Sequence, residues 1–254
     1  MLLVFLAGVV LVAAWLGWQA LAPGAMLRVE APAAVAIPGR DGQYRVTVRL
    51  INDGPAVVIT DVHSSRGAAA IYAPESDGRL VIPAGMTAEL AEDGAHVVVT
   101  LEADPPAALP VTLSFASGKS LTFRATVGTV SSSGMAMEMG LFGFGHVVNV
   151  GADDPAPTLS LSARQDGQDW LIDVLTSEFV FENVPMGTPH VPGTGHAHLY
   201  LNGLKLGRLY VPSARIGALP PGDHMVRVTL NANDHRAYVV DGDPVTAIAP
   251  LSVR

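Results

Sequence analysis

Tyr44-Arg45-Val46-Thr47-Val48-Arg49-Leu50 is the stretch that decides the fold. Tyr44, Val46, Val48 and Leu50 fall on one side of an extended chain and Arg45, Thr47 and Arg49 on the other. This is the period of two that a half-buried strand requires. The pattern recurs at Val111, Leu113 and Phe115, and again at Leu121, Phe123 and Ala125. Turn signals separate the runs: Asp41-Gly42, Asn52-Asp53-Gly54, Asp77-Gly78, Asp93-Gly94 and Ser117-Gly118. Short strands at this spacing predict a β-sandwich or small barrel over residues 26–130.

A second alternating block runs over residues 157–254. Strands are expected at Thr158–Ala163, Trp170–Leu175, His196–Asn202, Met225–Leu230 and Ala237–Val240, with turns at Asp166-Gly167, Asn202-Gly203, Pro221-Gly222 and Asp241-Gly242. Between the blocks, residues 131–156 break the alternation with serines, glycines, Met135, Met137, Met139 and His146, and read as a linker. The expected architecture is all-β, two β-sandwich domains, with no close internal repeat.

Ahead of these lies Met1-Leu2-Leu3-Val4-Phe5, the start of an apolar run through Ala22 with no charged side chain. It exceeds the roughly 18 residues needed to span a bilayer, so residues 1–25 read as a transmembrane anchor or a signal peptide. The missing Lys/Arg start and the interfacial Trp15 and Trp18 favour an anchor, while Ala20-Leu21-Ala22 and Gly24-Ala25 offer small-residue cleavage sites. Either reading implies export, with the chain in the bacterial periplasm, anchored to the inner membrane through this helix or secreted.

Across 254 residues the formal net charge is −8, with no cluster of Lys or Arg, which argues against nucleic acid as a partner. There is no cysteine, so disulfides, thiolate metal sites and cysteine nucleophiles are excluded. Soft-metal chemistry falls to eight His and eight Met. Imidazole with thioether suits copper.

The strongest candidate is Gly193-Thr194-Gly195-His196-Ala197-His198-Leu199-Tyr200. On a strand, His196 and His198 share a face with Tyr200 and Asn202, while Ala197, Leu199 and Leu201 point to the core. Met186, Asn231 and Asn233 lie nearby in sequence, and His190, His224 or His235 could complete a site. Met135, Met137 and Met139, with His146, could form a mobile thioether arm for Cu(I). In the first block His63 and His96 are candidates in separate strands. No nucleophile elbow, phosphate loop or paired catalytic carboxylates stand out.

The first block resembles the periplasmic copper chaperones of the PCu(A)C family. The resemblance is carried by Leu50-Ile51-Asn52-Asp53-Gly54, Val81-Ile82-Pro83-Ala84-Gly85, Leu90-Ala91-Glu92-Asp93-Gly94-Ala95-His96-Val97-Val98-Val99 and Val111-Thr112-Leu113-Ser114-Phe115-Ala116-Ser117-Gly118. It implies a cupredoxin-like, Greek-key sandwich with a surface Cu(I) site of two His and two Met, in which His63 and His96 look like the two histidines. Both methionines are replaced: Ser64 follows His63, Val98 stands at the His-x-Met position, and Pro74 or Glu75 falls at the intervening one. The Met-bearing segment resembles the Met/His-rich tails of some members. The second block is similar to small envelope domains that open with Gly-x-Gly-His-x-His.

These readings converge on a copper-binding protein or metallochaperone that exchanges Cu(I) or Cu(II) with a donor or acceptor copper protein of the envelope, with zinc as a possible competitor. Two alternatives stand beside it. One is a cupin-like metal-dependent enzyme, echoed by His196-x-His198, Pro220-Pro221-Gly222-Asp223-His224 and Asn231 but lacking the expected Glu, with Asn202 nearest. The other is an adhesion or scaffold protein with incidental histidines.

Overall fold

The computed structural model describes residues 27–128, 146–185 and 188–254. All regular elements among them are strands, so among the described residues no helix is long and apolar enough to cross a membrane. The apolar segment 1–25 and Met135, Met137, Met139 and Met186 lie outside the described residues.

The N-terminal half consists of β1 (Leu27–Ala36), β2 (Gln43–Asn52), β3 (Val57–His63), β4 (Ala68–Tyr72), β5 (Leu80–Ile82), β6 (Thr87–Leu90), β7 (His96–Thr100), β8 (Ala108–Phe115) and β9 (Ser120–Gly128). One layer places β2 beside β1, β6 and β7, with β4 on the far side of β7; the other runs β9, β8, β3, β5. β1 serves both layers, pairing antiparallel with β2 along its length and parallel with β9 through Ala33–Val35. A register shift between Glu30 and Ala33, with Ala31 at φ 46°, bends it from one to the other. The alternation seen in sequence is the burial pattern: Val46, Val48, Leu50, Val111, Leu113, Phe115, Phe123 and Ala125 are all in the core.

The C-terminal half contains β10 (Val147–Asn149), β11 (Thr158–Asp166), β12 (Asp169–Ser177), β13 (Val180–Phe181), β14 (Thr194–Leu201), β15 (Leu204–Leu209), β16 (Ser213–Ile216), β17 (Gly222–Asn231), β18 (Ala237–Val240), β19 (Asp243–Pro244) and β20 (Thr246–Val253). Its main sheet runs β15, β14, β17, β20. A separate sheet of β11, β12 and β16 packs against it, with Leu159, Leu161 and Ala163 set against the common core. Two hairpins have the turn chemistry that the sequence announces. Asn202-Gly203 joins β14 to β15 with φ 49° and 78°, and Asp241-Gly242 joins β18 to β19 with φ 52° and 90°. Paired positive φ values match the twist of the flanking strands.

Val147–Asn149 falls in the segment read as linker, yet forms β10 parallel to β18, with its three residues facing Ala237–Val239. Val148 is buried there, and this burial holds a segment too short to announce a strand. The two halves also share a seam. β6 pairs with β15 at Glu89 and Lys205, the Ala95 amide donates to the Gly203 carbonyl at 2.8 Å, and the Ala84 amide donates to the Ala218 carbonyl at 3.1 Å.

β14 depends on a close backbone approach at its start. A Cβ on Gly195, where φ is 154°, would stand 2.0 Å from the carbonyl oxygen of Asn231. No side chain fits without moving β17. Gly195→Ala is expected to cost at least about 2 kcal/mol in equilibrium urea unfolding, the range of strain at special backbone positions. Wild-type stability in that variant would contradict the packing described.

Candidate metal centre

Pairing of β14 with β17 sets His196 opposite Asn231 and His198 opposite Thr229. Strand alternation then turns both imidazoles to the same face. Sequence reading makes this face polar and accessible. It is polar, but it is buried: every residue from Gly195 to Leu201 is shielded from solvent, His196 at 2% and His198 at 3% exposure. What covers His198 and Tyr200 is the loop between β6 and β7, which belongs to the N-terminal half.

The third imidazole comes from the turn after β17. The His235 amide donates to the Ala232 carbonyl and the Ala232 amide to the Arg236 carbonyl, while Asn231 Nδ2 donates to the His235 carbonyl at 3.2 Å. With φ at 72°, His235 folds its ring back over His196, centroids 4.9 Å apart and 74° between planes. His196 Nε2 lies 3.0 Å from His198 Nε2 and 3.2 Å from His235 Nδ1, and the three ligand atoms lie within 4.8 Å of one another.

The two spacings from His196 suit one ion, while the full spread of 4.8 Å exceeds the roughly 4.2 Å that one ion can bridge, so closing on a metal takes a shift of about half an ångström in a ring. Two nitrogens each about 2.0–2.1 Å from a tetrahedral metal stand roughly 3.3 Å apart, and slightly closer at a right angle. The tautomers point the same way. Asp93 Oδ2 receives His198 Nδ1 at 2.7 Å, Lys205 Nζ at 2.6 Å and Tyr200 OH at 2.9 Å. A carboxylate only accepts, so it draws the proton of His198 onto Nδ1 and leaves Nε2 as a bare lone pair facing His196 Nε2. One N–H can bridge a pair of such nitrogens; a cation satisfies three. A carboxylate behind a ligating imidazole is the usual outer-shell support of a metal site.

Electrostatics keep the rings neutral. Burial lowers His196 to about 3, helped by the neighbouring His198 and His235. Burial also lowers His198 to about 4, against the opposing pull of its hydrogen bond to Asp93. His235 is lowered by burial and by the positive charges of Arg208 and Lys205. Burial alone would raise Asp93, but the hydrogen bond from His198 and the charge on Lys205 overrule it and hold the carboxyl far below the usual range. Neutral imidazoles beside an ionised carboxylate are ligands ready at neutral pH.

The other sequence candidates lie elsewhere. His224 sits at the opposite end of β17 with both ring nitrogens engaged, Nε2 donating to the Pro220 carbonyl at 2.9 Å and Nδ1 3.3 Å from Asn202 Nδ2. The register puts it roughly 20 Å along the sheet from His196. His190 packs its ring 5.6 Å from Tyr238 and is outside the convergent trio. His146 is exposed, though its carbonyl accepts from the Ala237 amide, two residues from His235.

In the N-terminal half, β4 runs from Ala68 opposite Thr100 to Tyr72 opposite His96. It is therefore Tyr72 that faces His96, with ring centroids 4.8 Å apart. His63 is exposed at the end of β3, beside the start of β4, whereas His96 faces the last residue of β4, roughly 13 Å along that strand. The structure does not bring His63 and His96 together. His96 is buried and donates from Nδ1 to the Gly94 carbonyl at 3.0 Å.

Sequence reasoning missed Asp93, Lys205 and Glu182, and noted Asn233 only as a polar residue alternating with Asn231 and His235. Asp93 stood out only as a turn residue. Lys205, between Leu204 and Leu206 in a strand, carried the one available signal of a buried charge in need of a partner.

No family model matches the chain, and no curated protein matches it. Among solved structures it is similar to a copper-bound PCuAC domain from PmoF2, at 17% identity and TM-score 0.37, over 42% of this chain and 96% of that one. An apo PCuAC domain from PmoF1 gives 19% identity and TM-score 0.37, over 42% and 97%. The periplasmic chaperone SfaE gives 10% identity and TM-score 0.24, over 85% and 100%.

The lowered histidines make a prediction for the metal-free protein. Their folded values lie below the unfolded value near 6.5, so the unfolded chain binds the extra protons and stability is full only above about pH 6.5. It should fall as pH drops through 6.5 towards 3–4. Urea midpoints at pH 7.5, 5.5 and 4.5 should decline in that order. A flat profile would mean the rings are not buried neutral.

Proposed function

We propose that this protein binds copper at His196, His198 and His235 and handles it in the bacterial cell envelope, exchanging it with a donor or acceptor copper protein. The observation that carries the reading is the convergence of three imidazole nitrogens, at 3.0 and 3.2 Å, behind a tautomer held by Asp93. Among divalent first-row ions copper binds such nitrogen sites most tightly, with zinc the natural competitor. The trio contains no sulfur, and we assign it to Cu(II), which nitrogen ligands hold well. Thioether capture of Cu(I) is assigned to Met135, Met137 and Met139, in the segment 131–156 that also holds His146. The apolar segment 1–25 serves as anchor or export signal.

A metal-dependent enzyme is the rival reading. The recess beside the trio measures about 30 Å³, enough for a water or two and well below the roughly 300–1,000 Å³ of ordinary ligand pockets. That favours a binding role.

The full chain, purified without a His tag, is expected to take up one equivalent of Cu(II). Replacing His196 and His198 together with Ala should weaken Cu(II) at least 100-fold while the strand-rich fold persists. Asp93→Asn should weaken it about 10–100-fold, the range for lost outer-shell support. Changing Met135, Met137 and Met139 to Leu should leave Cu(II) affinity alone and weaken Cu(I). Competition titration measures each. Wild-type Cu(II) affinity in the double-histidine variant would refute the assignment.

A further inference from the structure

The three imidazoles approach the centre from β14 and from the turn after β17, and leave one side of it uncovered. On that side a recess of about 30 Å³ is lined by Glu182, Val184, His196, Arg208, Tyr210, Asn233 and His235. Glu182 is placed there by backbone pairing, its amide donating to the Gly195 carbonyl at 2.7 Å. Tyr210 stands with its ring centroid 5.8 Å from that of His196.

Asn233 is the informative residue. It is 5% exposed, and its Nδ2 lies 3.2 Å from Glu182 Oε2 and 3.4 Å from Thr194 Oγ1. Glu182 can only accept, which fixes the amide orientation and leaves Oδ1 as the free end. Oδ1 is buried and has no hydrogen-bond partner. A buried acceptor left unmatched costs about 1–3 kcal/mol, so such atoms are ordinarily satisfied by a bound group. The group that fits must be small and must donate a hydrogen. At the mouth of the recess Arg208 is exposed and makes no ion pair among the described residues.

We propose that the ion held by His196, His198 and His235 keeps one exchangeable, water-sized ligand in this recess: a water that donates to Asn233 Oδ1 and that a small anion can replace. The inference rests on the metal reading above and deepens it. Coordination to a cation makes water a stronger donor, which suits the waiting amide oxygen. Arg208 favours an anion by its charge, against the Glu182 carboxylate on the same recess, and the volume limits that anion to a small one. Three protein ligands with one small exchangeable ligand form an open site, at which a small anion replaces the water without first breaking an imidazole bond.

The experiment loads the full chain with one equivalent of Cu(II) alone and records pulsed EPR in H2O and in D2O, without and with fluoride. Three imidazole nitrogen couplings, together with an exchangeable equatorial proton signal that fluoride removes, support the proposal. Three imidazole couplings with no exchangeable equatorial proton and no response to fluoride overturn it and leave the metal reading intact. Loss of the imidazole couplings themselves overturns both. As a second measurement, Asn233→Leu removes the acceptor while keeping the three histidines. Fluoride has no proton to donate and loses nothing there, so it should displace the less well held water about five- to tenfold more readily than in wild type. An unchanged fluoride affinity, with the imidazole couplings preserved, excludes Asn233 as the acceptor and overturns the proposal as stated.

Discussion

One carboxylate, Asp93, takes hydrogen bonds from His198, Tyr200 and Lys205, and these three side chains lie on two strands of the other half of the molecule. Lys205 is 5% exposed, so its ammonium can be held there only with a counter-charge in contact. A buried ion pair of this kind contributes little net stability, but breaking it by removing one partner is strongly destabilising. Its consequence is positional. The loop from Ala91 to Ala95 is held against the Asn202-Gly203 turn, and a Cβ on Gly94 would stand 2.9 Å from the Gly203 carbonyl oxygen. A second contact of the same type, Glu75 with Arg227 at 3.0 Å, lies farther along the seam, and the Arg227 guanidinium stacks 3.8 Å above the Tyr200 ring.

The polar face of β14 is thus an interior surface. It carries the proposed metal ligands at one end and the ion pairs that join the halves next to them. The His198 ring touches both: Nδ1 faces Asp93 and Nε2 faces the other imidazoles. Any ion bound there is supported by a residue from across the seam. Occupancy of the centre and the fit between the halves are then linked, because what stabilises the bound state must also stabilise the contact it requires.

Much of this was legible in the chain. Alternation at Val46, Val48 and Leu50 marked a strand, and Asn202-Gly203 and Asp241-Gly242 marked hairpins, because each is a local rule of side-chain period or backbone φ. The shared face of His196 and His198 followed from the same period. The burial of that face was hidden, since it depends on a loop about a hundred residues earlier. His235 could be grouped with the pair only loosely, because its arrival depends on a left-handed turn conformation that the residue type permits but does not announce. His224 looked as suitable as His235. Two neighbours, the Pro220 carbonyl and Asn202, claim its nitrogens, and sequence spacing does not report on hydrogen-bond competition. For His63 and His96 the spacing resembled a known pair, while the register put Tyr72 opposite His96.

Burial and charge also explain why three imidazoles can crowd together without a proton on each. Desolvation holds His196 and His198 in the neutral form at cellular pH, so the centre has its lone pairs available without paying for deprotonation. The direct measurement is X-ray absorption at the copper edge on the full chain loaded with one equivalent of Cu(II). The account predicts a first shell of about three imidazole nitrogens and one light atom at roughly 2.0 Å, with the outer-shell scattering of imidazole rings and no sulfur. A sulfur scatterer near ~2.3 Å, or a shell without imidazole, would place the copper elsewhere and contradict it.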